Sequence, residues 1–225
     1  MGIYSSFKAG NPPEITATLK NVVFESPFTP QKPVLLMSSS VFVILAEGFE
    51  EIEAIIPIDV LRRAGLDVMT VGLSGKTITG AHGVPLLADR TWDEVAALTP
   101  DVLLLPGGIP GSKHLGEHSG LKEMAWRIAD SDRWLAAICA APALTLASWG
   151  LLTGRKATCY PGCESHFPPD VKHQQTPVVV DGRIVTACGV GATMEFSLQL
   201  VALLLDQATA DNLRARMLVP AVDKP

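Results

Sequence analysis

The sequence has few cysteines, few aromatic residues and no excess of positive charge. Of its 225 residues, 4 are cysteine and 6% are aromatic, and 18 Lys and Arg stand against 23 Asp and Glu, for a net charge of −5. Four cysteines placed late in a chain of this size do not make the disulfide framework of a small secreted domain, which favours a reducing compartment. The lack of a basic cluster argues against nucleic acid as a partner.

The sequence also lacks a long hydrophobic run. Its longest apolar stretches, at 102–105 and 198–205, have the lengths of buried strands and helices, well short of the roughly 18 residues that span a bilayer. Pro12, Pro13 and Glu14 interrupt the N-terminal part before an apolar signal-peptide region develops. Because 48% of the residues are hydrophobic, disorder is excluded for most of the chain. We therefore predict a soluble, cytoplasmic protein with no membrane partner.

Residues 1–40 differ in composition from the remainder. They contain five prolines and end in three consecutive serines, directly before the first strong apolar run. We predict that they form an N-terminal extension. Met37 stands just before the apolar run, so a natural start at Met37, with a non-native segment before it, is as consistent with the sequence as a native extension. Residues 41–225 are expected to form one domain, given the usual size of domains.

Short apolar runs alternate with helical patterns through this domain. Strands are predicted at 41–46, 67–73, 102–105 and 134–138, a turned alternating stretch at 76–87, and helices at 51–64, 91–97, 121–129 and 194–205. The dipeptide Asp181-Gly182 between 177–180 and 183–188 is typical of a β-hairpin turn. The alternation predicts an α/β sandwich with a mostly parallel sheet, whose reactive groups gather at the carboxyl ends of the strands.

Cys139 directly follows a predicted buried strand and precedes a helical stretch, ending near Gly150, in which Pro142 suits the first turn. Its sulfur is therefore expected on a sharp strand-to-helix turn, at the positive end of a helix dipole. Such a position can lower a cysteine pKa from about 8.5 to roughly 3.5–7.5. The alternative is a buried structural cysteine, because free cysteine is among the most buried residue types. Position favours the nucleophile.

Two other segments are expected to face the same edge of the sheet. The loop that follows 102–105 contains Gly107 and Gly108, and the backbone N–H groups of Gly108 and Ala140 could together bind an oxyanion. The alternative for this loop is a plain glycine-rich turn. Glu53 lies early in the first helix, where an inward-facing carboxyl would reach the same crevice. Its neighbours Glu50 and Glu51 are equally consistent with solvated acids of a first helical turn.

Four segments together resemble the ThiJ/PfpI superfamily, in the branch of the parkinsonism-associated protein deglycase. They read AEGFEEIE at 46–53, PIDVLRRAG at 57–65, LPGG at 105–108 and AAICAAP at 136–142. The resemblance covers about residues 41–205. It implies a flavodoxin-like three-layer sandwich, usually a homodimer, with a nucleophilic cysteine on an elbow and a glutamic acid hydrogen-bonded to its sulfur. Here those residues would be Cys139 and Glu53.

The sequence departs from the family pattern near the expected nucleophile. Where the family often has histidine before proline, this chain has Tyr160-Pro161, within a Cys-Tyr-Pro-Gly run that some bacterial members share. Tyr160 can donate a hydrogen bond but, with a reference pKa near 10, is a poor base at neutral pH. Ala140 stands where peptidase-like relatives have a histidine, which argues against peptidase chemistry.

Three motifs suggest a metal or a cofactor, and each is weak. The His-x-x-Glu-His pattern at 114–118 contains Gly116, which disfavours the helix that a zinc site of this type needs. Cys159-x3-Cys163-x2-His166 has poor spacing for structural zinc and fits a coincidence or a peroxide-sensitive thiol pair better. The loop at 189–192 lacks the third glycine of a dinucleotide fingerprint. We therefore predict no metal and no cofactor.

The resemblance supplies a substrate class, reactive dicarbonyls such as methylglyoxal and glyoxal. A Cys139 thiolate would add to the aldehyde, Gly108 and Ala140 would hold the oxyanion, and a Glu53 made neutral by burial would shuttle a proton to give a hydroxy acid. Repair of glycated molecules, as by a protein deglycase, is a weaker expectation. The alternative is a stress-response protein or chaperone that senses peroxide through oxidation of Cys139, with little turnover.

Overall fold

A computed structural model describes residues 39–220, and its centre is a sheet of seven strands. In chain order, the strands of these residues are β1 (Ser40–Leu45), β2 (Asp67–Gly72), β3 (Thr77–Thr79), β4 (Pro85–Leu87), β5 (Arg90–Thr91), β6 (Val102–Leu105), β7 (Trp134–Ile138), β8 (Lys156–Ala157), β9 (Lys172–His173), β10 (Val178–Asp181) and β11 (Ile184–Ala187). The predicted N-terminal extension and residues 221–225 lie outside the described residues, except for Ser39 and Ser40. Those parts of the domain prediction therefore stay predictions.

The seven strands run in the order β10-β11-β7-β6-β1-β2-β5. Every neighbouring pair is parallel except β10 and β11, which form an antiparallel hairpin at one edge. In the register, Leu105 of β6 lies beside Ala137 of β7, and Ile138 of β7 lies beside Ala187 of β11. The carboxyl ends of β6, β7 and β11 are consequently adjacent at one edge of the sheet.

Helices cover both faces of the sheet. They are α1 (Glu51–Arg63), α2 (Trp92–Val95), α3 (Gly111–Glu117), α4 (Ser119–Ala129), α5 (Thr193–Leu204) and α6 (Gln207–Arg216), together with a π-helical turn at Pro142–Ala147 and 3₁₀ turns at Cys163–His166 and Val190–Ala192. Apolar side chains of α1, α5 and α6 pack on one face, and those of α2, α3, α4 and the π-helical turn pack on the other. The three-layer α/β sandwich predicted from the sequence is confirmed.

The central strands are apolar on both faces because both faces are covered. Val41 and Val43 of β1 belong to the core under α1 and α5, whereas Phe42 and Ile44 belong to the core on the opposite side, and all four are at least 96% buried. Continuous apolar runs of this kind are typical of parallel strands buried between helices. Among the described residues, no helix is both long enough and apolar enough to span a membrane.

Three local expectations are wrong. A helix, α3, does run through Gly116, where a side chain would collide with the carbonyl oxygen of Leu144 on the neighbouring helical turn. The helix expected at 91–97 is only the four-residue α2. The hairpin loop is Gly182-Arg183, because Asp181 already pairs with Ile184; Gly182 has φ +60°, as the first loop residue of a primed turn requires.

Candidate active site

Cys139 occupies a strained elbow directly after β7. Its φ is +65°, a left-handed value that is uncommon for residues other than glycine. Two hydrogen bonds hold the elbow: the Cys139 N–H donates to the Ala187 carbonyl, and the Tyr160 N–H donates to the Cys139 carbonyl, both at 2.8 Å. The sharp strand-to-helix turn predicted from the sequence is present, and it leaves Cys139 only 9% exposed.

Glu53 lies in the first turn of α1 and is fully buried. Its Oε2 accepts a hydrogen bond from the Gly107 N–H at 3.0 Å, while Oε1 has no hydrogen-bond partner among the described residues. Burial raises the pKa of Glu53 to about 7; interaction with the Cys139 thiol opposes this shift, and the nearby charge of Glu50 adds to it. The structure therefore brings together the two residues that the family resemblance paired.

Gly107 leaves the space in which the Glu53 carboxyl and the Cys139 side chain approach each other. A Cβ on Gly107 would overlap both Oε2 of Glu53 and the Cβ of Cys139, so no other residue fits without displacing one of them. The Gly107 carbonyl also accepts the Glu50 N–H at 3.0 Å, which fastens the β6 loop to the start of α1. Gly108 follows with φ +93° and lies against the backbone of residues 48–50. Both positions therefore require glycine because neighbouring atoms approach the backbone closely, in addition to any requirement of the turn.

The thiol of Cys139 has a raised pKa, opposite to the direction expected for the elbow. Burial is the main cause, and the charge of Glu53 acts in the same direction. Hydrogen bonds from the Gly108 and Ala140 N–H groups lower the pKa but do not outweigh these effects. The helical turn that follows Cys139 has six residues, too short for a full helix dipole. A proton on Glu53 removes the repulsion, so the thiolate is favoured only while the carboxyl is neutral.

Tyr160 lies beside the elbow, to which its backbone N–H is hydrogen-bonded. Its side chain is 52% exposed, and its ring is within 3.3 Å of the position that a Cβ on Gly189 would take. The same position is 3.9 Å from Oε1 of Glu53, so Gly189 separates the tyrosine ring from the buried carboxyl. A cavity of about 460 Å³ opens here. Its lining residues are Tyr160, Pro161, Pro177, Cys188, Gly189, Val190, Gly191 and Ala192.

Two contributors were missed from the sequence. Glu50, which is consistent in sequence with a solvated acid of the first turn, is 92% buried and caps α1, and its Oε2 accepts the Glu53 N–H at 2.8 Å. Glutamate is not among the residues that commonly cap helix N-termini, so the sequence gives no capping signal at this position. In the sequence, Gly189 stands out only as part of the glycine-containing loop at 189–192. Its contact with Tyr160 joins segments distant in sequence, and no local pattern reveals it.

The two zinc-like motifs do not gather ligands. His114 Nδ1 lies 2.9 Å from the Glu47 carbonyl, while His118 Nδ1 accepts the Leu121 N–H at 3.1 Å as the cap of α4. His166 Nδ1 lies near the carbonyl of Cys163.

Within residues 39–220, the one group of three potential ligands in mutual reach is Glu50, Glu51 and His82. There, His82 Nδ1 is 2.8 Å from Oε2 of Glu51, whose carboxylate raises the pKa of the imidazole. The His82 N–H also donates to Oε1 of Glu51 at 2.7 Å. This cluster ties the loop of the β3–β4 hairpin to the start of α1.

Comparison with known proteins agrees with this architecture. The model of the DJ-1/PfpI family matches residues 39–203. Protein DJ-1 homolog B of Arabidopsis thaliana is 40% identical over 178 residues, which are 77% of this chain and 41% of that protein. The glutathione-independent glyoxalase DJR-1.2 of Caenorhabditis elegans is 32% identical over 163 residues, covering 72% of this chain and 87% of that one.

Solved structures give the same result. The crystal structure of Drosophila melanogaster DJ-1beta superposes with a TM-score of 0.79 at 36% identity, covering 82% of this chain and all of that one. The chain spans less than half the length of the Arabidopsis relatives. With a family model over most of the described residues and an elbow cysteine beside a buried glutamate, the chain belongs to the DJ-1/PfpI family.

Proposed function

We propose that this protein is a glyoxalase that uses Cys139 as its nucleophile, needs no cofactor or metal, and converts methylglyoxal and glyoxal into the corresponding hydroxy acids. The observation that carries the proposal is the buried Glu53 carboxyl, with a pKa of about 7, in contact with the thiol on the elbow. A carboxyl of that pKa can both donate and accept a proton near neutral pH. The name of the C. elegans relative as a glutathione-independent glyoxalase supports the same reaction class.

In the proposed reaction, the proton of the Cys139 thiol passes to Glu53 or is already lost, and the sulfur attacks the aldehyde carbon. A C–S bond forms, and the carbonyl oxygen becomes an oxyanion near the Gly108 and Ala140 N–H groups. Glu53 gives its proton to this oxyanion, which leaves a hemithioacetal and a carboxylate. The carboxylate then removes the hydrogen from the former aldehyde carbon as a proton and returns it to the neighbouring carbon, while the hydroxyl proton moves from the first oxygen to the second. The result is a thioester of the hydroxy acid, which water hydrolyses to lactate and free thiol. The overall change adds one water to methylglyoxal.

The unpartnered Oε1 of Glu53 gives the proton a place to reside. Because Oε2 is occupied by the Gly107 N–H, the carboxyl is held in one orientation while Oε1 stays free for transfer. We propose that Tyr160, which is half-exposed and lines the adjoining cavity, contacts the substrate from the solvent side. Its hydroxyl can donate a hydrogen bond to a second carbonyl oxygen.

The test measures methylglyoxal loss and lactate formation together, with the purified full-length protein. The buffer contains no amine or added thiol, since both trap dicarbonyls without an enzyme. Cys139→Ala and Glu53→Gln are compared with Cys163→Ala, a matched change of a thiol outside the site. We expect catalytic lactate formation in wild type and Cys163→Ala and none in the other two.

Methylglyoxal consumption that stops at one equivalent per protein, without lactate, would refute the glyoxalase. A gain of two oxygens confined to Cys139 at low peroxide would then support the alternative, a peroxide-sensing protein with little turnover. Lactate formation that survives Cys139→Ala would instead show that another group is the nucleophile.

We further propose a cytoplasmic homodimer. The low cysteine count, four in 225 residues, supports a reducing compartment. Ile52 and Ile55 are 44% and 42% exposed on α1, which gives this helix an apolar outer surface. Light scattering during size exclusion should give about twice the chain mass, and Ile55→Glu should shift it towards the monomer. A monomer in wild type would contradict the proposal.

A further inference from the structure

A second group of thiols lies beside the elbow. Cys159 and Cys188 line one cavity of about 380 Å³, which adjoins the one at Tyr160 through shared Pro161, Pro177 and Cys188. Cys159 is 2% exposed and Cys188 is half-buried. The sequence spacing pairs Cys159 with Cys163. The charges of both Cys163 and Cys188 raise the pKa of Cys159, that of Cys163 more strongly, so both thiols lie near it; of the two, Cys188 lines the same cavity. The proposed reaction uses neither thiol.

Cys159 belongs to the segment 158–160 and Cys188 to the segment 186–189. Two contacts join these segments, one before the cysteines and one after them. Just before them, the Thr158 N–H donates to Oγ1 of Thr186 at 3.0 Å, and both threonines are 99% buried. Just after them, the ring of Tyr160 lies against Gly189, 3.3 Å from the position of a Cβ there. The contacts on both sides, together with the shared cavity and the effect of the Cys188 charge on the pKa of Cys159, bring the two thiols near each other.

Each segment also holds one side of the Cys139 peptide backbone. Tyr160, which follows Cys159, donates its N–H to the Cys139 carbonyl. Ala187, which precedes Cys188, accepts the Cys139 N–H. Both bonds measure 2.8 Å. A covalent link between Cys159 and Cys188 would therefore join the two supports of the elbow one residue away from each.

We infer that Cys159 and Cys188 are an oxidative modification site, at which peroxide drives formation of a disulfide that restrains the Cys139 elbow. The sulfur of Cys188, the more exposed of the two, attacks peroxide and becomes a sulfenic acid, releasing water. The Cys159 sulfur then displaces that hydroxyl as a second water, and the S–S bond forms. Two thiols are oxidised to one disulfide while one peroxide is reduced to two waters.

The roles of the two thiols follow from their surroundings. Burial raises the pKa of Cys159 to about 12, so little thiolate is present there to meet peroxide directly. Cys159 thus suits the second step, because its closeness to the sulfenic acid of Cys188 compensates for its small fraction of thiolate. His173 and Glu164 also line the cavity and provide a polar wall beside the thiols.

The disulfide should make Cys139 less reactive. Cys139 is 9% exposed, so its alkylation requires a local opening of the elbow. A link between the two supporting segments opposes that opening, and we expect alkylation of Cys139 to slow several-fold. The inference stands apart from the dicarbonyl reaction, since neither the cross-link nor alkylation depends on turnover.

The first experiment maps the cross-link. Reduced full-length protein is treated with hydrogen peroxide at about one to about five equivalents and then digested without reductant, and the peptides are weighed. We expect a joined pair of peptides containing Cys159 and Cys188, two hydrogens lighter than the separate thiols, in wild type and in Cys163→Ser. The pair should be absent from Cys188→Ser. A link from Cys159 to Cys163, or free Cys159 and Cys188 after Cys139 has been fully oxidised, would overturn the inference.

The second experiment measures the effect on the elbow. Diamide oxidises dithiols to disulfides without adding oxygen to Cys139, and the rate at which iodoacetamide then modifies Cys139 is followed by mass. We expect a several-fold slower rate in oxidised wild type, recovery with dithiothreitol, and no effect of diamide on Cys188→Ser. An unchanged rate in cross-linked wild type would overturn the proposed restraint. Equal rates in the two reduced proteins would confirm that Cys188→Ser keeps the elbow folded.

Discussion

Charged groups have opposite environments at the two ends of the parallel sheet: buried at the carboxyl ends and partly exposed at the amino ends. At the carboxyl ends, Glu53 is fully buried with one oxygen unpartnered, and Cys139 is held in a left-handed conformation. At the amino ends lies a cavity of about 200 Å³ lined by Arg133, Arg155 and Arg183. Each of these arginines is partly exposed and faces an aspartate, at 3.5, 3.7 and 2.5 Å respectively.

This difference identifies the reactive end. Arginines with aspartate partners in contact with water are already neutralised, and such pairs contribute little to stability or chemistry. A buried carboxyl without a full set of partners is costly, and the fold keeps it only where neighbouring backbone holds it in place. Strain at Cys139 and the missing partner of Glu53 occur within one cluster, whereas the arginine cavity has neither feature. The concentration of charged side chains, taken alone, would have selected the arginine cavity at the amino ends as the reactive site.

The largest contrast is expected in turnover. Glu53→Gln keeps an acceptor for the Gly107 N–H but cannot transfer a proton, so we expect kcat/KM for methylglyoxal to fall by about 10²–10⁴-fold. Arg155→Gln at the other end should leave it unchanged. Lactate formation at saturating and limiting substrate gives both numbers. A loss of comparable size in Arg155→Gln would remove the functional distinction between the two ends.

The next contrast concerns pH. The folded pKa of Glu53, about 7, is above its ordinary value of 4.5. Between these values the unfolded chain loses the proton and the folded chain keeps it, so wild type loses stability as pH rises. Glu53→Gln lacks this loss. Its unfolding free energy relative to wild type should therefore increase by up to about 3 kcal/mol from pH 4.5 to pH 7.5. Urea unfolding at several pH values measures this, and a constant difference would mean that folding does not raise the pKa of Glu53.

A smaller effect is expected from packing at the carboxyl ends. Gly107→Ala forces a methyl group against the Glu53 carboxyl and the Cys139 side chain, so we expect a loss of about 1–3 kcal/mol together with most of the turnover. Gly75→Ala is the matched control, because a Cβ there meets nothing within 4 Å and its φ is not positive. Thermal unfolding should give a clearly lower Tm for Gly107→Ala than for Gly75→Ala. Equal stability would show that the β6 loop moves aside easily.

Much of the fold follows from local patterns. The apolar runs at 102–105 and 134–138 are β6 and β7 to the residue, and the helix expected at 194–205 differs from α5 by one residue at each end. These elements are long or fully apolar, so their periodicity is unambiguous. The short α2 and the shifted hairpin loop depend on neighbours across the sheet, which the local sequence does not describe.

The site itself was less accessible from the residues alone. The strand-to-helix position of Cys139 was visible, but its meeting with Glu53 rested on the family resemblance, because the two lie on separate strand-helix units. The expected low pKa of Cys139 was wrong in direction, since a sequence pattern does not show how deeply a sulfur is buried. Likewise Glu51, given a solvated reading as an alternative, is buried because His82 of the β3–β4 loop covers it.

The smallest effect should come from the amino ends. Arg133→Gln removes the partly exposed ion pair with Asp101, 3.5 Å away, and leaves the hydrogen bonds from Ser40 to that aspartate in place. Pairs of this type contribute about 0–1 kcal/mol and weaken with salt. We expect the stability difference from wild type to be within that range and to shrink between 0.05 and about 0.5 M salt. A stability loss above that range that does not weaken with salt would instead mean that buried charge also exists at this end of the sheet.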